Sequence, residues 1–186
     1  MTATRDKIWT VEEYHRMIDA GILNEDDKVE LLNVRIVQMS DQTPPHAGKT
    51  QRVSDYIKEL LTAQTHVRMQ LPITLATSEP EPDIAVVRID GGAYGEHHSN
   101  ASEIFLLVEV SYSNLQIDLE EKALIYARAN IADYWVLDVA ERLAYILGNP
   151  TPEGYQSEMI LPDNAVIAPL AFPEIEIPLS ELFLPV

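Results

Sequence analysis

Cysteine is missing from all 186 residues, which removes disulfide staples and thiolate metal sites together. Cations are scarce too: thirteen Lys and Arg stand against thirty Asp and Glu, a formal net charge of −17. The shortage is uneven, with ten basic and fourteen acidic residues up to Arg88 and three against sixteen after it. A nucleic-acid binder ordinarily carries a basic footprint. Sequence-independent affinity for a polyanion should therefore be weak, and contact should need a local basic stripe, a bound cation or a partner. No stretch approaches the roughly 20 apolar residues of a membrane span, and the opening MTATRDKIWT has no apolar signal region; a cytoplasmic protein is expected. The seven glycines match neither GxxxxGK[ST] nor GxGxxG, and no GxSxG elbow surrounds Ser111 or Ser113. The length fits a single domain, 1–186, able to bury a core unaided.

What is present centres on 104–139. Ile104 to Val110 is a nearly unbroken apolar run, the mark of a strand covered on both faces, yet Glu109 stands near its end. An ionised carboxylate there needs a counter-charge, hydrogen bonds or a metal. A second acid, Asp83, stands at the mouth of another short β-branched strand, in the segment Glu79 to Arg88 entered through Pro80 and Pro82. If the two strands are neighbours, the carboxylates converge on an oxygen-ligand site of the kind Mg²⁺ or Mn²⁺ prefers.

These strings, PEPDIAVVR, LLVEVS, D-x-x-x-K-x-x-x-YARA and DYWVLD, resemble the Uma-two family of putative restriction endonucleases in the PD-(D/E)xK nuclease superfamily. The likeness runs from about Trp9 to about Leu147. It implies an α/β (α+β) restriction-endonuclease-like fold: a central mixed sheet flanked by helices, core about 28–147, with an N-terminal helix and hairpin and C-terminal antiparallel strands. It also implies metal-dependent DNA hydrolysis, with Asp83 and Glu109 as metal ligands and catalytic acids. The pattern's lysine belongs two residues after Glu109, where this chain has Ser111; the resemblance implies that Lys122, on the next helix, replaces it. From the residues alone, Asp118, Lys122 and Tyr126 share one face of a helix running from about Asp118 to Ala129, and an Asp118–Lys122 surface pair is the plain alternative.

Other positions divide similarly. Thr10 and Glu13 have capping-box spacing before a helix that Gly21 closes. Lys28–Leu32 and Arg35–Met39 read as a hairpin around Asn33-Val34, although valine suits a positive-φ turn poorly. Alternation puts Glu30 on its wet face, whereas the resemblance makes it a further acid of the site. A helix is expected from about Pro45 to Ala63, with His46, Lys49 and Arg52 three apart. They read as solvated surface, but Lys49 and Arg52 are also the best phosphate-contact candidates and His46 an additional site residue. Gln70 reads as an ordinary strand glutamine, or on the resemblance as a cleft residue. The stretch 89–102 reads as a mobile loop in which His97 and His98 are a weak zinc signal. The tail 165–186 is apolar and must cover core or meet another chain; a homodimer contact is the expected use. A nuclease-fold interaction module without catalysis, and hydrolysis of another phosphate ester, are the competing functions.

Overall fold

The structure, a computed structural model, describes residues 6–61 and 64–184. Thr10 caps helix α1 (Val11–Asp19): its hydroxyl accepts from the Glu13 N–H, and the Glu13 carboxylate accepts from the Thr10 N–H. Gly21 at φ +68° ends the turn. Strands β1 (Val29–Leu32) and β2 (Arg35–Gln38) form the expected hairpin. Both turn residues lie in the left-handed region, Asn33 at φ +44° and Val34 at φ +61°. The strain at a β-branched residue is held by its neighbours, since the Trp9 N–H donates to the Val34 carbonyl and the Val34 N–H donates to that of Thr77.

Helix α2 (Pro44–Leu61) follows, then β3 (His66–Met69), β4 (Ile73–Thr74), β5 (Ile84–Val87), β6 (Ser99–Asn100) and β7 (Ile104–Ser111). Ala63, in the expected end of α2, lies outside the described residues. After β7 the chain turns helical as α3 (Leu115–Ile117), a π-helical stretch Asp118–Lys122, and α4 (Ala123–Arg128). Asn130 at φ +60° stops it. The chain then forms β8 (Asp133–Asp138), β9 (Leu143–Thr151), β10 (Gly154–Pro162), β11 (Val166–Ile167), β12 (Ile177–Pro178) and α5 (Leu179–Leu182).

Six strands make the central sheet in the order β10-β9-β8-β7-β5-β3. Within this sheet only the β7–β8 pair is parallel, because the helical crossover returns the chain in the same direction; its other pairings are antiparallel. Both faces are covered, which explains the unbroken apolar strands. Ile84, Val86, Leu106, Val108 and Val110 meet Val53 and Ile57 of α2 and the tail residues Leu179, Leu182 and Phe183. Ala85, Val87 and Leu107 meet Tyr126, Tyr134 and the loop residue Tyr94 on the other face.

Two expectations change here. The segment 89–102 is tied down: Asp90 accepts from the Gly92 and Tyr94 N–H groups, and the buried Tyr94 donates to the Arg88 carbonyl. The tail folds back onto its own sheet, burying Phe172, Ile177, Leu179, Leu182 and Phe183. Its apolar character is thus spent within the chain and supplies no argument for a homodimer. Among the described residues, no helix is long and apolar enough to cross a membrane.

Candidate active site

Side-chain parity decides what the site contains. On β7, Leu106, Val108 and Val110 face α2, so Leu107, Glu109 and Ser111 face the α3–α4 side. On β5 the same rule places Asp83 with Ala85 and Val87 on that side. Ile84 pairs with Val108, so Asp83, one residue earlier, meets Glu109, one residue later, and the Asp83 N–H donates to Glu109 Oε2 at 3.2 Å. Met69 pairs with Ile84, which brings Gln70 beside Asp83: its N–H donates to the Asp83 carbonyl at 3.0 Å and its side-chain amide to Asp83 Oδ1 at 3.1 Å. Gln70 is therefore a cleft residue; ending β3 at φ +50° turns it inward.

Asp83 Oδ2 accepts the Val110 N–H at 2.8 Å and lies 3.2 Å from His46 Nε2, carried by the first turn of α2. Burial works to raise the Asp83 carboxyl, but His46, the Val110 N–H and Lys122 outweigh it and hold the group below the ordinary carboxylate range. The hydrogen bond to Asp83 raises His46 in turn. Glu109 Oε1 accepts from Lys122 Nζ at 2.9 Å and from the Tyr126 hydroxyl at 3.0 Å. Burial pushes the Glu109 carboxyl up to about 8, Lys122 opposing and Asp118 and Asp83 adding. Burial also raises Asp118, whose Oδ1 lies 4.0 Å from Lys122 Nζ. Lys122 remains an ammonium: burial disfavours its charge, but Glu109, Glu30 and Asp118 more than restore it. The surface ion pair allowed for Lys122 is thus replaced by a buried one that reaches the β7 strand end.

Glu30 is 7% exposed and lines the cleft, so the wet-face reading fails. The hairpin lies against the approach to β5, where the Glu81 N–H donates to Glu30 Oε2 at 3.1 Å and Leu31 bridges to Glu79. The cleft, about 220 Å³, is lined by Glu30, Gln70, Glu81, Asp83, Glu109, Ser111, Asp118 and Lys122 and is bordered by the 38–43 and 112–114 loops. Asn114 donates to Ser40 Oγ across its mouth.

Lys49 and Arg52 are not brought in. Lys49 is buried and donates to the Leu184 carbonyl under the tail, and Arg52 is exposed on α2 outside the cleft. His97 lies near Glu103 at 3.6 Å and His98 is half-buried, both in the separate hollow that contains His15 and Glu79. Glu81 and Asp118 were absent from the expected site. Glu81 carried a signal, since it lies two residues before Asp83 in an extended segment and so shares its face.

Among the described residues, no group of three or more His, Asp and Glu forms a ready cage for a metal ion. The donor set nevertheless suits a hard divalent cation held by one or two carboxylates, with water completing its shell. Asp83 and Glu109 offer oxygens from adjacent strands, and the buried Ser111 lines the same cleft, its hydroxyl interacting with Asp118. The cluster also has a single ammonium among its acids.

Residues 11–180 match the Uma2 family, described as "Putative restriction endonuclease". A search of curated proteins matches none. Among solved structures, a putative nuclease from Anabaena variabilis is similar with a TM-score of 0.73 and 15% identity, covering 94% of this chain and 97% of that one. At that identity the likeness shows the fold, and it is the nuclease-like fold expected from the sequence.

Proposed function

The chain belongs to the Uma2 family of putative restriction endonucleases, and from that premise we propose that it hydrolyses DNA phosphodiester bonds with Mg²⁺ or Mn²⁺ held by Asp83 and Glu109. The observation that carries this reading is the Asp83–Glu109–Lys122 constellation, two acids on adjacent strands and an ammonium 2.9 Å from the second. When bound, the cation supplies positive charge to a phosphate oxygen and lowers the pKa of water.

The chain's own groups do the rest. Asp83, kept ionised by His46 and the Val110 N–H, is the permanent anionic ligand. Gln70 fixes its rotation by holding Oδ1, and Glu30 holds the backbone that leads to it through the Glu81 N–H. Glu109 would serve as the second ligand in its carboxylate form, its proton passing to solvent. Lys122 presents a charge to the reacting phosphate that needs no reorganisation, a type of contribution worth roughly 10²- to 10³-fold. Neutralising carboxylates in the cleft also reduces their repulsion of the DNA backbone, which answers part of the charge deficit.

The test is calorimetric titration of Mn²⁺ into the wild type, Asp83→Ala and Glu109→Ala, with plasmid nicking at low ionic strength on the same preparations. Binding and nicking by the wild type, lost in both variants, is the expected result. Absence of binding by the folded wild type, with and without DNA, would overturn the catalytic reading in favour of a nuclease fold used as an interaction module.

A further inference from the structure

We propose that Tyr126 is a positioning residue that decides which oxygen of Glu109 is offered to the cleft. The role rests on the reading of Glu109 as a cation ligand. A glutamate's terminal torsion is broad and nearly two-fold, so an unrestrained carboxylate presents either oxygen in many orientations. Here one oxygen is pinned twice. Oε1 takes both the Tyr126 hydroxyl at 3.0 Å and Lys122 Nζ at 2.9 Å, which uses its lone pairs. Oε2 accepts only the Asp83 N–H at 3.2 Å and keeps a lone pair on the Asp83 side. Lys122 alone holds this arrangement poorly, because its ammonium also faces Asp118 at 4.0 Å. The tyrosine has no such alternative.

Its ring is fixed from behind. Tyr126 is fully buried and stands edge-on to Tyr134, centroids 4.9 Å apart at 76°, and Tyr134 stacks on Tyr155 at 6.0 Å and 27°. The hydroxyls of the two backing rings tie to main chain, Tyr134 to the Asp118 carbonyl and Tyr155 to that of Ile131. Of the three, only Tyr126 spends its hydroxyl on a side chain of the cleft. The π-helical stretch before it, closed by the Ala123 N–H reaching the Asp118 carbonyl, lets Asp118, Lys122 and Tyr126 converge on the end of β7.

The experiment is Mn²⁺ titration into the wild type, Tyr126→Phe and Tyr155→Phe, with thermal melts and plasmid-nicking kinetics of each. Tyr126→Phe keeps the ring and removes only the hydroxyl. Its Mn²⁺ dissociation constant should rise about 10- to 100-fold, the usual loss when a ligand's orienting partner is removed, and kcat should fall while KM for DNA stays. Tyr155→Phe, in the same stack but away from Glu109, should bind Mn²⁺ as the wild type does. Should Tyr126→Phe melt below the assay temperature, 4-aminophenylalanine at this position keeps a donor and should restore both fold and binding. Unchanged Mn²⁺ affinity in folded Tyr126→Phe overturns the role and leaves the two-acid site standing, as does equal weakening in Tyr155→Phe. A wild type that binds no Mn²⁺ removes the catalytic reading and this role with it.

Discussion

Manganese binding should expel a proton from Glu109. Burial pushes this carboxyl up to about 8, so at pH 7 roughly nine-tenths of molecules carry the proton, and at pH 9 roughly one-tenth. A cation needs the carboxylate and must displace that proton, so its apparent affinity climbs with pH until Glu109 is already ionised. For a group titrating near 8, affinity should rise roughly 50-fold between pH 6 and 8 and flatten above about 9. Asp83 adds little to this slope, because His46 and the Val110 N–H keep it ionised throughout. Isothermal titration at pH 7, repeated in buffers of different ionisation enthalpy, counts the protons released. Close to one proton is expected from the wild type, and Glu109→Gln, which removes the titrating carboxyl together with the ligand, should neither bind Mn²⁺ nor release a proton. A flat affinity between pH 6 and 8, or proton release undiminished in Glu109→Gln, would refute the reasoning.

The same raised carboxyl makes the metal-free fold less stable with rising pH. Between the ordinary 4.5 and about 8 the folded state holds a proton that the unfolded chain has lost, so urea midpoints should fall across that window, and Glu109→Gln should flatten the upper part of the slope while Asp118 and Asp133, raised by burial too, keep the lower part. Asp83, held below its ordinary 3.8, acts oppositely: its contribution is present above 3.8 and should be lost as acid is added. Lys122→Met leaves Glu109 and Asp118 without their ammonium and should cost about 3–5 kcal/mol by urea denaturation at pH 9, where Glu109 is ionised, as well as abolishing nicking; near-wild-type stability at that pH would mean that the pair is not buried in solution. Val34→Gly relieves a β-branched residue at φ +61° and should raise stability by about 1 kcal/mol. A lower urea midpoint would show that its packing outweighs the strain.

Much of this site was legible in the chain because strand parity and motif spacing act over short distances. Asp83 at the mouth of one strand, Glu109 near the end of another, and Asp118, Lys122 and Tyr126 at four-residue spacing were each visible. For Glu30 and Gln70 the resemblance pointed to the cleft and the bland reading away from it, for one reason: alternation says that a residue leaves the apolar face, but not what waits on the other side. For Glu30 it is the Glu81 backbone, and for Gln70 it is Asp83. Lys49 failed in the reverse direction, because a helix position that looks wet in the sequence is covered by a tail more than a hundred residues later. The tail itself was recognised as needing cover, and its own α2 and sheet supply that cover.

By itself the sequence determined the class of molecule: a cysteine-free acidic chain, its covered strands, its helix caps, and the strings that place it in its family. These are local properties, set by side-chain type and period. Tertiary structure decided which charges meet. The parallel return of β8 brings the intervening helix over the end of β7, and the antiparallel register of β5 sets Asp83 against Glu109. Burial raises both acids, and their partners divide them: His46 and the Val110 N–H hold Asp83 below the ordinary carboxylate range, whereas Glu109 stays raised despite Lys122. Desolvation and Coulomb energy depend on distances between residues far apart in the chain, and only the folded backbone supplies those distances.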